Sequence, residues 1–246
     1  MERLFEGFPV EIIVDDFLIH AQDQSSSPEM DKKLLMVLER SRERARLVLA
    51  AKGLDYECVN VNLKRKPDWF QSDPDCEGKV PALETMDGKL IPESVIICEF
   101  LEDQYPKIQF YPSDPYLKSR QKLLIQRFDR VMSSYFRLLN GTGDAEENVL
   151  QLTRHFQTYE QELFVSNTVF FGGEKPGMLD YFLWPFFGRL PTAEHEFPMI
   201  GENLPKLSAW FGGMREDPAV KQVSVSDELL RRFARNMDKE EAQLYE

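Results

Sequence analysis

A small α/β domain followed by an all-helical domain is the fold class that this 246-residue sequence predicts. From about Leu34 to Tyr111, short apolar runs alternate with helical stretches. After Pro115 almost every segment reads as an amphipathic helix, with polar breaks at Asn140 to Asp144 and Gly172 to Gly177. The length suits two ordinary domains, and 42% apolar residues can fill two cores.

Arg44 to Lys52 (RARLVLAAK) is a helix stopped by Gly53, a good residue just past a helix end. Tyr56 to Leu63 (YECVNVNL) alternates as a half-buried strand does. Val80 to Glu84 reads as a strand with proline at its entry, and Asp87-Gly88 turns it back into Lys89-Leu90-Ile91. Pro92-Glu93-Ser94 then opens a helix that ends at Tyr105-Pro106, where proline's missing amide hydrogen does no harm at the start. Strand, helix, strand, hairpin and helix follow one another in the order of a thioredoxin-like domain. Tyr111 to Pro115 (YPSDP) has linker chemistry. Beyond it, Tyr116 to Leu139, Glu146 to Val165, Leu179 to Arg189, Leu204 to Glu216 and Asp227 to Lys239 are the helix candidates. The expected division is a divergent extension over 1–30, a thioredoxin-like domain over 31–111 and a helical domain over 112–246.

Composition narrows the function classes. No apolar run approaches the ~18 residues of a membrane helix; Val10 to Ile19 is short and interrupted by Asp15 and Asp16. The first residues lack the basic-then-apolar order of a secretory signal, which makes the cytoplasm the expected compartment. A net charge of −12 disfavours nucleic acid or an acidic membrane as partner. Cys58, Cys76 and Cys98 are odd in number and widely spaced, so they suggest three free thiols rather than a metal site or a disulfide framework.

Several strings, in order over about 200 residues, resemble omega-class glutathione transferases. They are Arg44-Ala45-Arg46-Leu47-Val48-Leu49, Asn62 to Phe70 (NLKRKPDWF), Val80-Pro81-Ala82-Leu83-Glu84 and Glu93-Ser94-Val95-Ile96. Ser113-Asp114-Pro115-Tyr116, Phe170-Phe171-Gly172-Gly173, Leu179 to Pro185 (LDYFLWP) and Glu216-Asp217-Pro218 continue the series. The resemblance implies glutathione as co-substrate, no metal, a symmetric homodimer, and a small electrophile or oxidised molecule as second substrate. It also implies the family's activities: thioltransfer, dehydroascorbate reduction, conjugation and detoxification. In the family, the residue before a cis-proline pairs its backbone with the cysteinyl part of glutathione, which falls here on Val80 and Pro81. Glu93 and Ser94 match the positions that hold the γ-glutamyl group, at a helix N-terminus whose amide hydrogens suit an anion. Lys66 matches the lysine that reaches the glycyl carboxylate. Each has a plainer reading: a strand-entry proline, a helix cap, a solvated lysine. Asp180 resembles the family's structural acid near the start of a buried helix. Gly177 stands where the family has Ser or Thr, so one half of a capping box is expected to be missing.

One departure bears on chemistry. Omega enzymes open their first helix with a cysteine. Aligning back without gaps from Arg44 puts Glu39 in that catalytic position, and no cysteine precedes Cys58. A carboxylate ~4 Å from a bound thiol, at an effective dielectric near 20, would disfavour the thiolate by about 4 kcal/mol. That is roughly 3 pKa units in the unhelpful direction. In another register, the family's first strand is Val10 to Ile19, followed by an insertion. The expected activity is an atypical omega-like glutathione transferase, with a non-catalytic glutathione- or partner-binding protein as the alternative. Phe128, Met132, Phe182 and Trp184 fall where the family's second substrate binds, but aromatics at helical spacing read as core.

Overall fold

The computed structural model describes residues 10–15, 43–61, 66–72, 74, 76–139, 141–188 and 203–223. These form two compact units that divide in sequence between Ile108 and Gln109.

In the first unit, β1 (Val10–Asp15), β2 (Tyr56–Val61), β3 (Ala82–Thr85) and β4 (Leu90–Pro92) form one sheet in the order β2-β1-β3-β4. β1 runs parallel to β2 and antiparallel to β3, and β3 pairs antiparallel with β4. A parallel pair needs a crossover. Its described part is α1, over residues 43–52. The short α2 (Asp68–Gln71) precedes β3, and α3 (Ser94–Gln104) follows β4. Alternation along the strands sorts the core. Val61 and Ala82 pack with Phe70 and Cys76 on one face, with Val59, Val80 and Leu90 at their edge. Ala45, Val48 and Leu49 of α1 and Ile97, Cys98 and Leu101 of α3 are likewise buried, at the spacing of one helix face. Lys52 ties α1 to the end of α3. Its ammonium meets Glu102 at 2.7 Å and donates to the C=O groups of Tyr105, the cap residue of α3, and of Ile108 in the segment that follows.

Three boundaries differ from those the sequence suggested. Residues 1–30 are not wholly an extension, because Val10–Asp15 supplies a strand bonded on both edges. Its β-branched residues Val10, Ile12, Ile13 and Val14 favour that conformation. The linker also lies earlier than YPSDP. Phe110 and Tyr111 are buried in the second unit, where Phe110 packs edge-on against Tyr181 at 5.3 Å and its C=O accepts the Met178 N–H. At the other end, Gln222 and Val223 group with the first unit, not the second.

The second unit holds α4 (Pro115–Leu139), α5 (Ala145–Ser166), α6 (Met178–Phe187), α7 (Pro205–Glu216) and the start of α8 (Pro218–Val223). Asp144 starts α5 by accepting the Glu147 N–H at 2.8 Å, and Asn167 ends it in the left-handed conformation. Every residue of α6 is buried, and its sequence, MLDYFLWPFF, carries one charged residue, Asp180, among apolar and aromatic ones. Phe128 meets Tyr159 and Phe186 edge-on, and Phe187 meets Trp210 at 5.1 Å. Phe128, Phe182 and Trp184 are core residues of this unit. The helix candidate Asp227 to Lys239 lies outside the described residues.

Candidate functional site

The register of β3 and β4 builds the site. Ala82 lies opposite Pro92. Pro81 directly precedes Ala82 and Glu93 directly follows Pro92, so the Val80–Pro81 peptide and the start of α3 leave the same paired end of these two strands. The Val80–Pro81 peptide is cis. No backbone hydrogen bond among the described residues engages Val80, so its N–H and C=O are open to a ligand strand. Glu93 sits at φ 68° and ψ 118°, a left-handed conformation that a non-glycine residue holds at a cost of about 1–3 kcal/mol. Its side chain does not cap the helix, and the first helical hydrogen bond is Ile97 N–H to Glu93 C=O at 2.9 Å. The amide hydrogens of Ser94, Val95 and Ile96 therefore have no acceptor within α3. Ser94 is buried, but Val95 and Ile96 are exposed, which places these donors at an accessible helix end.

Lys66 joins the same region through a residue the sequence reading missed. Cys76 to Lys79 is a tight turn closed by Lys79 N–H to Cys76 C=O at 2.8 Å, with Glu77 and Gly78 both left-handed. The Lys66 side chain lies over Gly78. A Cβ there would come within 2.9 Å of Lys66 Cδ and 3.2 Å of Nζ. The Glu-Gly dipeptide before Val80 is the signal that could have revealed it. Lys79 pairs with Glu77 at 2.8 Å, and its ammonium is held above its ordinary pKa by that bond first and by the charge of Glu93 last. Lys66, Val80, Pro81, Glu93 and Ser94 thus belong to one edge of the first unit. Glu39 lies outside the described residues.

The cysteines offer no substitute nucleophile in this arrangement. Cys76 and Cys98 are buried, and burial pushes the Cys98 thiol up to about 12. Cys58 is exposed on β2, at the far side of the sheet from β4. No group of His, Cys, Asp and Glu among the described residues could hold a metal ion.

Asp180 belongs to the second unit and acts as a structural knot. Its Oδ1 accepts the Phe171 N–H at 2.9 Å and the Trp210 indole N–H at 2.7 Å. Its Oδ2 accepts the Gly172 and Gly177 N–H groups at 2.8 and 2.7 Å. The Gly177 bond is the surviving half of the capping box, since glycine has no side chain to return it. Burial lifts the carboxyl to about 6, against the pull of these donors. Gly177 has its own reason. A Cβ there would lie 2.7 Å from the Phe110 carbonyl oxygen and 2.9 Å from Gly172 Cα.

Comparison with known proteins identifies the family. Residues 37–109 match the family described as glutathione S-transferase, N-terminal domain, and residues 145–213 its C-terminal domain. The chain is 38% identical over 194 residues to glutathione S-transferase omega-1 of Sus scrofa, covering 78% of this chain and 79% of that protein. It is 39% identical over 180 residues to omega-2 of Mus musculus, covering 72% and 71%. With the pyrimidodiazepine synthase of Drosophila melanogaster it shares 37% over 201 residues, covering 78% and 80%. Among solved structures, a tau-class glutathione S-transferase from mango superposes with a TM-score of 0.74 at 27% identity, covering 93% of this chain and 98% of that one. Glutathione transferase omega 1C of Trametes versicolor shares the fold, with a TM-score of 0.72 at 15% identity, covering 95% and 98%. The chain therefore belongs to the glutathione S-transferase family, within its omega class.

Proposed function

We propose that this protein is a glutathione-dependent transferase that holds glutathione along the β3–α3 edge of its first unit. The observation that carries the reading is the juxtaposition of the open Val80 backbone with the unfilled N-terminus of α3. Val80 pairs with the cysteinyl backbone, while the Ser94 hydroxyl and the amide hydrogens behind it take the γ-glutamyl carboxylate. The Glu93 carboxylate meets the ammonium group of the same moiety, and Lys66 meets the glycyl carboxylate. Glutathione supplies the thiol, and the second substrate is a small electrophile or oxidised molecule. In the ungapped register Glu39 stands at the position of the class cysteine, and in either register no cysteine precedes Cys58, so conjugation through glutathione's own thiol is favoured over thiol–disulfide exchange. The working form is a homodimer in the cytoplasm.

A second reading, a glutathione- or partner-binding protein without turnover, is favoured by one observation: no cysteine precedes Cys58. Calorimetric titration with reduced glutathione tests the binding step that the transferase reading requires. Saturable binding that weakens tenfold or more in Ser94→Ala is expected. A folded protein that binds no glutathione would overturn the transferase reading and leave the partner-binding one. Turnover of a model electrophile by the glutathione-binding protein then decides between them.

A further inference from the structure

The second unit carries a group of positive charges that neither helix packing nor glutathione binding uses. Two contacts set the antiparallel register of α4 and α5. The Arg120 guanidinium meets Glu162 at 2.9 Å, and the Tyr159 hydroxyl donates to the Leu124 C=O at 2.9 Å. Steps of three and four from Arg120 along α4 reach Leu123, Arg127, Arg130, Ser134 and Arg137, a single stripe. His155, one turn before Tyr159 on α5, falls beside the Arg127–Arg130 stretch of that stripe. Arg137 turns back along it, its guanidinium donating to the Ser134 hydroxyl at 3.5 Å.

Arg120 is neutralised by Glu162. Arg127, Arg130 and Arg137 are exposed and form no ion pair among the described residues. His155 is partly buried, and burial first, then the charges of Arg130 and Arg137, hold its imidazole below the ordinary pKa. Among the described residues no carboxylate is bonded to any of the three arginines. Asp129 of α4 acts with Arg127 on Tyr159. From α7, the facing contact is with Glu160 of α5, whose carboxylate is committed to the N–H groups of Lys206 and Leu207. Glu147 of α5 accepts from Gln151. On a chain with a net charge of −12, this seam is an island of opposite sign.

We propose that Arg127, Arg130, Arg137 and His155 form a binding site for a phosphate-class oxyanion, free or carried as a small-molecule monoester. Guanidinium groups match such an anion with paired donors. A dianion works against the burial and the arginine charges that hold the imidazole pKa down, so His155 takes up a proton as the anion binds and adds a further donor.

The test follows the His155 imidazole resonance through a pH titration of the full chain. The protein has 3 histidines, and the resonance is assigned by its loss in His155→Gln. Inorganic phosphate and phenyl phosphate are compared with chloride at matched ionic strength. Phosphate is expected to raise the His155 midpoint by about one pH unit. A larger response to phenyl phosphate assigns the site to monoesters, and a response to inorganic phosphate alone assigns it to the free anion. In the double variant Arg130→Gln/Arg137→Gln, the midpoint in chloride should rise while the phosphate response disappears. Equal midpoints in phosphate and chloride would overturn the proposal. So would a phosphate response that survives in the double variant.

Discussion

Replacing Asp180 by alanine strips the acceptor from four buried donors at once: the N–H groups of Phe171, Gly172 and Gly177 and the Trp210 indole. An orphaned buried donor costs about 1–3 kcal/mol, so the loss is roughly 4–12 kcal/mol. The substitution also relieves the burden of a dry carboxylate. Its lift from 3.8 to about 6 corresponds to about 3 kcal/mol. The donors win, and a net destabilisation of about 5 kcal/mol is expected at pH 7. That is a large part of the 5–15 kcal/mol typical of a folded domain. Urea unfolding followed by tryptophan fluorescence measures it, because Trp184 and Trp210 both lie in this core. The pH dependence provides a signed check. A carboxyl whose pKa is raised on folding contributes stability that is present below its unfolded value and lost as pH rises through 6. Wild type should therefore gain about 2 kcal/mol over Asp180→Ala between pH 7 and pH 4.5. A variant within about 1 kcal/mol of wild type at both pH values would refute the idea that these four bonds hold the unit together.

Other perturbations probe other levels of the structure. Gly177→Ser restores the residue type that a capping box calls for, yet it should destabilise by about 1–3 kcal/mol. Its Cβ would press on the Phe110 carbonyl and on Gly172, and a rise in melting temperature would show that the backbone yields there. Lys52→Met leaves Glu102 charged in a buried position and uncaps two carbonyls, so unfolding should become easier by about 3–5 kcal/mol. Unchanged chemical denaturation of that variant would refute the assignment. Glu39→Cys should raise dehydroascorbate reduction at least tenfold, or about 1.4 kcal/mol of barrier. A folded, glutathione-binding variant with no gain would remove Glu39 from the catalytic position.

The sequence by itself determined the kinds of elements and most of their order. Helical spacing placed α4, α5, α6 and α7 within two residues of their observed ends, and the Asp87-Gly88 turn joined β3 to β4. It also pointed to Ser94 at a helix start, because proline, acid and serine before an apolar run are local signals. Tertiary structure decided what depends on residues distant in sequence. The place of Val10–Asp15 between β2 and β3 rests on partners more than 40 residues away, and no local pattern reports a pairing partner. The left-handed Gly78 beneath Lys66, and the close approach of Gly172 to Gly177, are set by neighbours that only the folded chain supplies. Asp180 shows the division within a single residue. Its spacing from Gly177 promised one bond to the start of α6, whereas the bonds to Phe171, Gly172 and Trp210 exist because packing closes the loop and α7 around it.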